Sequence, residues 1–283
     1  MHYGYPRIRK RYGPKVDVGL HYDAKFLSEK DRADILDWLG TLHPLWEYRF
    51  STERPLPEGE SQRRLLRPVY WLGSWQFACL DYYRPPRGEL HRAIRAEPYP
   101  PVLAKLVREI EGRARKMFHG DDMPKGWALT TCLVNFYGRR REGEKWVDTA
   151  RVGEHKDFEP GPVASLSLGE RALFQFVKSR RPGERDGVVS QQWLDDGSLQ
   201  IFGGDRWKKQ TFHRVQRVDH KAGHTFALNV PDFETRRVNF TFRYVPEKHV
   251  ARFRDLPAES KRDVEGYMNT LAAGSPFFAS ELG

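Results

Sequence analysis

Polar and apolar positions alternate without a break from Arg237 to Arg243, in the order Arg-Val-Asn-Phe-Thr-Phe-Arg. Successive side chains leave a strand on opposite faces. Arg237, Asn239, Thr241 and Arg243 therefore share one face, and Val238, Phe240 and Phe242 the other. The pattern predicts a strand whose apolar face is core. Its polar face carries a cation at each end and short hydrogen-bonding groups between them. At about 3.3 Å per residue the two arginine backbones stand roughly 20 Å apart, so both side chains can lean inward onto one compact dianion. A plain solvated face is the alternative reading.

Helical periodicity occurs twice in the first half. Ser28-Glu29-Lys30-Asp31 reads as a capping box ahead of Ala33, Ile35, Leu36 and Leu39, and predicts a helix over about 28–42. Pro101 opens a second helix, in which Leu103, Leu106, Val107, Ile110, Ala114 and Met117 recur at three- and four-residue steps until Gly120. Between them, residues 52–68 read as a loop, and aromatics crowd the strand- or hairpin-like stretch Val69–Tyr83. After Trp127 the texture changes to short β-like runs at Ala128–Tyr137, Ala164–Leu168, Leu173–Val177, Ser198–Phe202, Thr225–Asn229 and Val238–Tyr244. The fold class predicted is mainly β with flanking helices (α+β), a closed or sandwiched β-domain with helices packed on one side. A modest helix begins near Pro257, and the chain ends in a polar tail.

Composition narrows the function classes. With 283 residues and 39% hydrophobic content the chain can bury a real core, which suits one decorated domain. No run of about 18 apolar residues occurs, so no membrane span is expected. The first residues lack the apolar segment of a signal peptide. Cys79 and Cys132 show no CxxC spacing, which fits free thiols in a reducing compartment: cytoplasmic, or nuclear in a eukaryote. The net charge of +10 favours a polyanionic partner, nucleic acid above all. Residues 1–20 form a basic arm with interleaved tyrosines, suited to phosphates and bases or simply a solvated terminus.

His155-Lys156-Asp157 sets an imidazole and a carboxylate two residues apart, on one face of a predicted strand. His213 can complete a 2-His-1-carboxylate set, which suits Fe(II) because three ligands on one side leave positions for a bidentate cosubstrate and O₂. An HxD pair and a lone histidine each occur often by chance, so order and spacing carry the argument.

From Leu133-Val-Asn135-Phe-Tyr137 through His155-x-Asp157, Ser165-Leu-Ser-Leu-Gly169, Phe174-Gln-Phe176, Leu199-Gln-Ile-Phe-Gly-Gly204 and His213 to Arg237-Val-Asn-Phe-Thr-Phe-Arg243, the chain resembles the AlkB family of Fe(II)- and 2-oxoglutarate-dependent dioxygenases. The match is closest over about 130–245. The resemblance implies a double-stranded β-helix of jelly-roll type. Taken with the residue pattern at either end, this divides the chain into an arm at 1–20, a dioxygenase domain at 21–250 with its catalytic core at about 128–245, and a C-terminal extension at 251–283. His155, Asp157 and His213 would hold iron. Arg237 and Arg243 would hold 2-oxoglutarate, Arg237 at the distal carboxylate, with Asn135, Tyr137 and Asn239 as further contacts.

The implied reaction oxidises a substrate C–H bond, using O₂, while 2-oxoglutarate becomes succinate and CO₂. On an N-methyl group it releases formaldehyde, as in demethylation of alkylated bases in DNA or RNA. Trp71 or Tyr70 would stack on a flipped base, and Glu159 would approach it; core packing and a solvent-facing glutamate are the alternatives. Two segments, both read as loops, depart from simple relatives: one with Arg139, Arg140 and Arg141, the other with Lys178, Arg180 and Arg181. Each is flanked by strands carrying site motifs and is expected at the mouth of the site, gripping a polynucleotide backbone or serving a protein substrate. The expected enzyme is a monomer with a nucleic-acid partner. The same chemistry on a protein side chain or small molecule, and a catalytically silent binding module, are the alternatives.

Overall fold

The computed structural model describes residues 18–49, 63–76, 93–179, 187–216, 226, 228 and 230–283. Residues 1–17 of the basic arm, Phe77, Cys79, Tyr82, Tyr83, Arg180, Arg181 and most of Thr225–Asn229 lie outside them.

The chain enters through β1 (Leu20–Asp23) and α1 (Glu29–Leu39). Ser28 caps α1, its hydroxyl accepting from the Asp31 backbone N–H at 3.1 Å and donating to the Asp31 carboxylate at 2.7 Å. The helix stops at Gly40, short of the expected residue 42. Two short strands, β2 (Tyr48–Arg49) and β3 (Arg63–Arg64), pair with each other. The aromatic stretch supplies β4 (Val69–Leu72) and β5 (Ser74–Trp75), and β6 (Ala93–Arg95) pairs with β5. The second predicted helix is α2 (Pro101–Met117), which buries Leu103, Leu106, Val107, Ile110 and Ala114.

β7 (Thr131–Glu142) is longer than the predicted run to Tyr137. It turns at Gly143, whose φ of 61° suits glycine, into β8 (Lys145–Asp148). The segment with Arg139–Arg141, expected as a loop, is thus a paired hairpin. Its alternation is masked in the sequence by consecutive charged residues. The chain continues through β9 (Val152–His155), β10 (Val163–Gly169), β11 (Ala172–Val177), β12 (Val188–Leu194) and β13 (Leu199–Phe202). A π-helical turn over Asp205–Gln210 leads into β14 (Phe212–Gln216), and β15 (Phe233–Arg243) contains the alternating strand.

These strands make two antiparallel sheets. The larger runs β1-β13-β10-β15-β7-β4 with β8 added at β7, and the smaller runs β12-β11-β14-β9. Val163 and Phe202 of the larger sheet, Phe174, Phe176 and Leu194 of the smaller one, and Trp207 form one apolar cluster between them. This is a jelly-roll sandwich with helices outside the larger sheet.

Val238, Phe240 and Phe242 on β15 are all 0% exposed. Phe240 meets Trp38 of α1 at 6.4 Å between ring centroids, and Phe242 meets Tyr99 at 6.1 Å. Burying each such phenyl ring contributes about 1.5–3 kcal/mol. The helices therefore hold the outer face of β15, and its polar face is left to the space between the sheets. After β16 (Val250–Ala251), α3 (Ala258–Ala272) begins beside Pro257. The expected polar tail is instead α4 (Pro276–Leu282), because Phe277, Phe278 and Leu282 pack against the core. Phe278 is fully buried, edge-on to Tyr70 and Trp75.

Candidate active site

The polar face of β15 forms one wall of a cavity between the sheets. Arg237, Asn239, Thr241 and Arg243 all line it, as do Asn135 and Tyr137 from β7. His155, Asp157 and His213 complete the lining from β9, the segment after it, and β14. Register explains part of the convergence: His213 is paired directly with His155, and Asn239 with Asn135.

One donor atom from each of His155, Asp157 and His213 lies within 4.8 Å of the others. His213 Nε2 is 3.4 Å from Asp157 Oδ2, and the two imidazole centroids are 4.2 Å apart. His155 Nδ1 lies 2.8 Å from the Gly153 carbonyl oxygen, which orients the ring and leaves Nε2 for a ligand role. β9 ends at His155, so Asp157 reaches this point from irregular backbone rather than by sharing a strand face as expected. Strand alternation ceases to apply there, and an ion pair to Arg243 locates the carboxylate instead.

Burial raises the Asp157 carboxyl pKa. The Arg243 guanidinium and then His213 and His155 oppose this, and hold it well below the usual carboxylate range. Burial, followed by the neighbouring His155, pushes the His213 imidazole down to about 3. A neutral imidazole with a free lone pair and an ionised carboxylate are what a metal ligand set requires.

The far end of the cavity is cationic. Arg237 is 3% exposed, its Nη2 donates to Ser167 Oγ at 3.0 Å, and its guanidinium lies 4.9 Å from the Tyr137 ring centroid. Its Nε and Nη1 have no hydrogen-bond partner among the described residues. A buried guanidinium with two unpaired nitrogens fits an incoming carboxylate. Asn239 is differently placed. Its amide nitrogen donates to Ser165 Oγ at 2.8 Å and the Leu166 carbonyl at 3.0 Å, and its oxygen accepts from Thr241 at 2.9 Å. These contacts lock the wall of the cavity.

Three expected substrate contacts lie elsewhere. Tyr70 and Trp71 are 4% and 3% exposed and line no part of this cavity. The Tyr70 hydroxyl donates to Glu97 at 2.6 Å, while the Trp71 and Trp75 indoles both donate to the buried Glu47 carboxylate at 2.6 Å. Glu159 neither continues a strand nor faces solvent. It is 4% exposed, with its carboxylate 3.5 Å from Arg243 Nε and near Gln76. Arg139, Arg140 and Arg141 lie beyond the cavity on the β7–β8 hairpin.

Two further side chains at or beside the cavity escaped the sequence reading. Arg67 lines the cavity, donates from Nε to Asn135 Oδ1 at 2.7 Å, and lies 5.2 Å from the Tyr137 ring centroid. Its sequence signal is slight: it precedes β4 by two residues, and the pairing of Val69 with Asn135 brings it towards Tyr137. Lys208 is the other. Its buried ammonium donates to the carbonyls of Glu159 and Gly161, tying the π-helical turn before His213 to the segment after Asp157.

A jelly roll with two histidines and one carboxylate at a common point, opposite paired arginines, defines a class of metal-dependent oxygenase. The chain belongs to the 2OG-Fe(II) oxygenase superfamily, whose family model matches residues 19–243. Members use Fe(II), 2-oxoglutarate and O₂. Among solved structures, OsALKBH1 is 22% identical with a TM-score of 0.46, covering 83% of this chain and 100% of its own. YcfD, a ribosomal oxygenase from Escherichia coli in complex with cobalt and succinic acid, is 11% identical with a TM-score of 0.23, covering 54% of this chain and 41% of its own. A bsmA homologue from Methylobium petroleophilum is 12% identical with a TM-score of 0.35, covering 81% and 89% respectively. No curated protein matches.

Proposed function

We propose that the chain is an AlkB-like dioxygenase that demethylates alkylated bases in DNA or RNA. The observation carrying this reading is the joining, in one cavity, of His155, Asp157 and His213 with the Asn135/Tyr137 pair and the Arg237–Arg243 face. His155, Asp157 and His213 hold Fe(II). Arg237, with its unpaired nitrogens, takes the distal carboxylate of 2-oxoglutarate, and Asn135 and Tyr137 hydrogen-bond to the same molecule. Arg243, beside Asp157, faces the end near the metal. Asn239 positions the wall. With iron and 2-oxoglutarate bound, the site supplies oxidation of a substrate C–H bond by O₂, with succinate and CO₂ as coproducts.

A nucleic-acid substrate is supported by the net charge of +10, the basic hairpin beside the cavity and the sequence resemblance. The buried free thiol of Cys132 suits a reducing compartment, and no described helix is long and apolar enough to cross a membrane. One observation favours a second reading. Arg139 is paired with Glu234 and Arg140 with Glu142, which lowers the charge offered to phosphates and suits the same chemistry on a protein side chain or small molecule.

Mass spectrometry of a panel of methylated oligonucleotides, incubated with the iron-loaded enzyme and 2-oxoglutarate, separates the two. Loss of a methyl group with matching succinate is the expected result. Succinate production that no oligonucleotide raises above background moves the assignment to the second reading.

A further inference from the structure

β7 carries a single face from inside the cavity to the surface. Leu133, Asn135 and Tyr137 line the cavity, and residues two apart share a face, so Arg139 and Arg141 continue the same row beyond the rim. In the hairpin, Arg141 pairs with Trp146 and Arg139 with Asp148. Directly paired residues point the same way, which sets Trp146 on this row too.

Trp146 is 45% exposed, unusual for so large an apolar ring, and the Arg139 guanidinium lies 5.1 Å from its centroid. Arg139 is fixed in turn by Glu234, at 2.6 and 2.9 Å. Arg141 is held at the turn by donation from Nε to the Gly143 carbonyl at 3.1 Å. Two acids share this face: Asp148, mostly buried and paired with Arg236 at 2.7 Å, and Glu234, directly opposite Arg139 and paired with it. Arg140, Val147 and Glu142 face the other side. The surface presented is therefore an indole plate with one open cation beside it, Arg141, while Arg139 lies against the ring with its charge offset by Glu234. At about 3.3 Å per residue, Arg141 stands roughly 13 Å along the strand from Tyr137. A few nucleotides of unpaired strand span that distance.

We infer that Trp146 is the stacking platform for an unpaired base flanking the target base, with Arg141 beside it on the phosphate; this rests on the base-demethylation reading above. Every base has an apolar face that an indole can cover, and the neighbouring Arg141 matches the backbone that comes with it. A duplex hides that face, so the preferred substrate is single-stranded. The hairpin is then a subsite that measures substrate length, because a lone nucleotide in the cavity does not reach it.

The test compares kcat/KM for a methylated single-stranded pentamer with that for the corresponding methylated mononucleotide. Stacking on an aromatic ring contributes on the order of 1–3 kcal/mol per base, so Trp146→Ala should cut the preference for the pentamer about tenfold or more. Trp146→Phe, which keeps an aromatic face, should restore most of it. Arg141→Ala should flatten the log–log salt dependence of pentamer binding by about one unit. A pentamer preference equal in wild type and Trp146→Ala, in an enzyme that demethylates the pentamer, overturns the inference and leaves the base-demethylation reading in place. A wild-type enzyme that oxidises a methylated peptide and no oligonucleotide overturns both.

Discussion

Arg243 donates from Nε to one carboxylate oxygen of Asp157 at 3.0 Å, and its Nη2 forms an ion pair with the same oxygen at 2.8 Å. The other oxygen, Oδ2, is thereby turned towards His213 Nε2 at 3.4 Å. One arginine thus orients the carboxylate of the candidate metal set and lines the same cavity.

Arg243→Lys is accordingly expected to damage both functions, since an ammonium lacks the planar fork. The KM for 2-oxoglutarate should rise at least about tenfold, equivalent to the loss of ~1.4 kcal/mol of charge-assisted bonding. Co(II) affinity measured by calorimetry should also fall. Arg243→Met leaves the Asp157 charge buried without its main partner and should cost about 3–5 kcal/mol in denaturant titrations. A lysine variant with unchanged KM and Co(II) affinity would remove Arg243 from the site.

Metal binding should stabilise the fold through three ligands at once. A cation at a hundred times its Kd contributes about 2.7 kcal/mol, visible as a rise in Tm with added Co(II) or Zn(II). Asp157→Ala should abolish that rise, and His155→Ala and His213→Ala should each reduce it sharply. Persistence of the full metal-dependent shift in Asp157→Ala would place the ion elsewhere.

Lys208→Met should loosen the segment that follows Asp157. Two carbonyls, at Glu159 and Gly161, lose a charged donor, which costs roughly 1–3 kcal/mol for a buried group. Burial also lowers the Lys208 pKa from its usual 10.5. Between that lowered value and 10.5 the unfolded chain holds the extra proton, so this group makes stability increase with pH. The methionine variant should show a shallower rise over the same alkaline window. Equal stability and equal pH slope in the two proteins would contradict the tether.

Trp71→Phe distinguishes a core indole from a base-stacking one. The ring remains, while the hydrogen bond to the buried Glu47 carboxylate is lost, and Tm should fall by an amount equivalent to about 1–3 kcal/mol. KM for a methylated oligonucleotide should not move. A raised KM with an unchanged Tm would restore the stacking role that the resemblance implied.

Local codes in the chain made much of this legible. The alternation in Arg237–Arg243 assigned both faces of β15, because side-chain direction in a strand depends only on the backbone of neighbouring residues. Periodicity predicted α2, with Pro101 as its first residue, and the Ser28 cap marked the start of α1. The spacing of His155, Asp157 and His213 selected the three residues that the structure brings together. Where charges interrupted the alternation, as between Arg139 and Lys145, the same code failed and a hairpin looked like a loop.

Tertiary structure alone decided which polar groups meet. Arg243 and Asp157 are 86 residues apart, and Arg67 and Asn135 are 68 apart. Tyr70 and Trp71 looked available for a substrate until Glu97 and Glu47 claimed their polar atoms, and Glu159 was drawn inward beside Arg243. Strand pairing and sheet stacking create these contacts. A residue's neighbours in sequence set the direction of its side chain, but what waits there is set by distant segments.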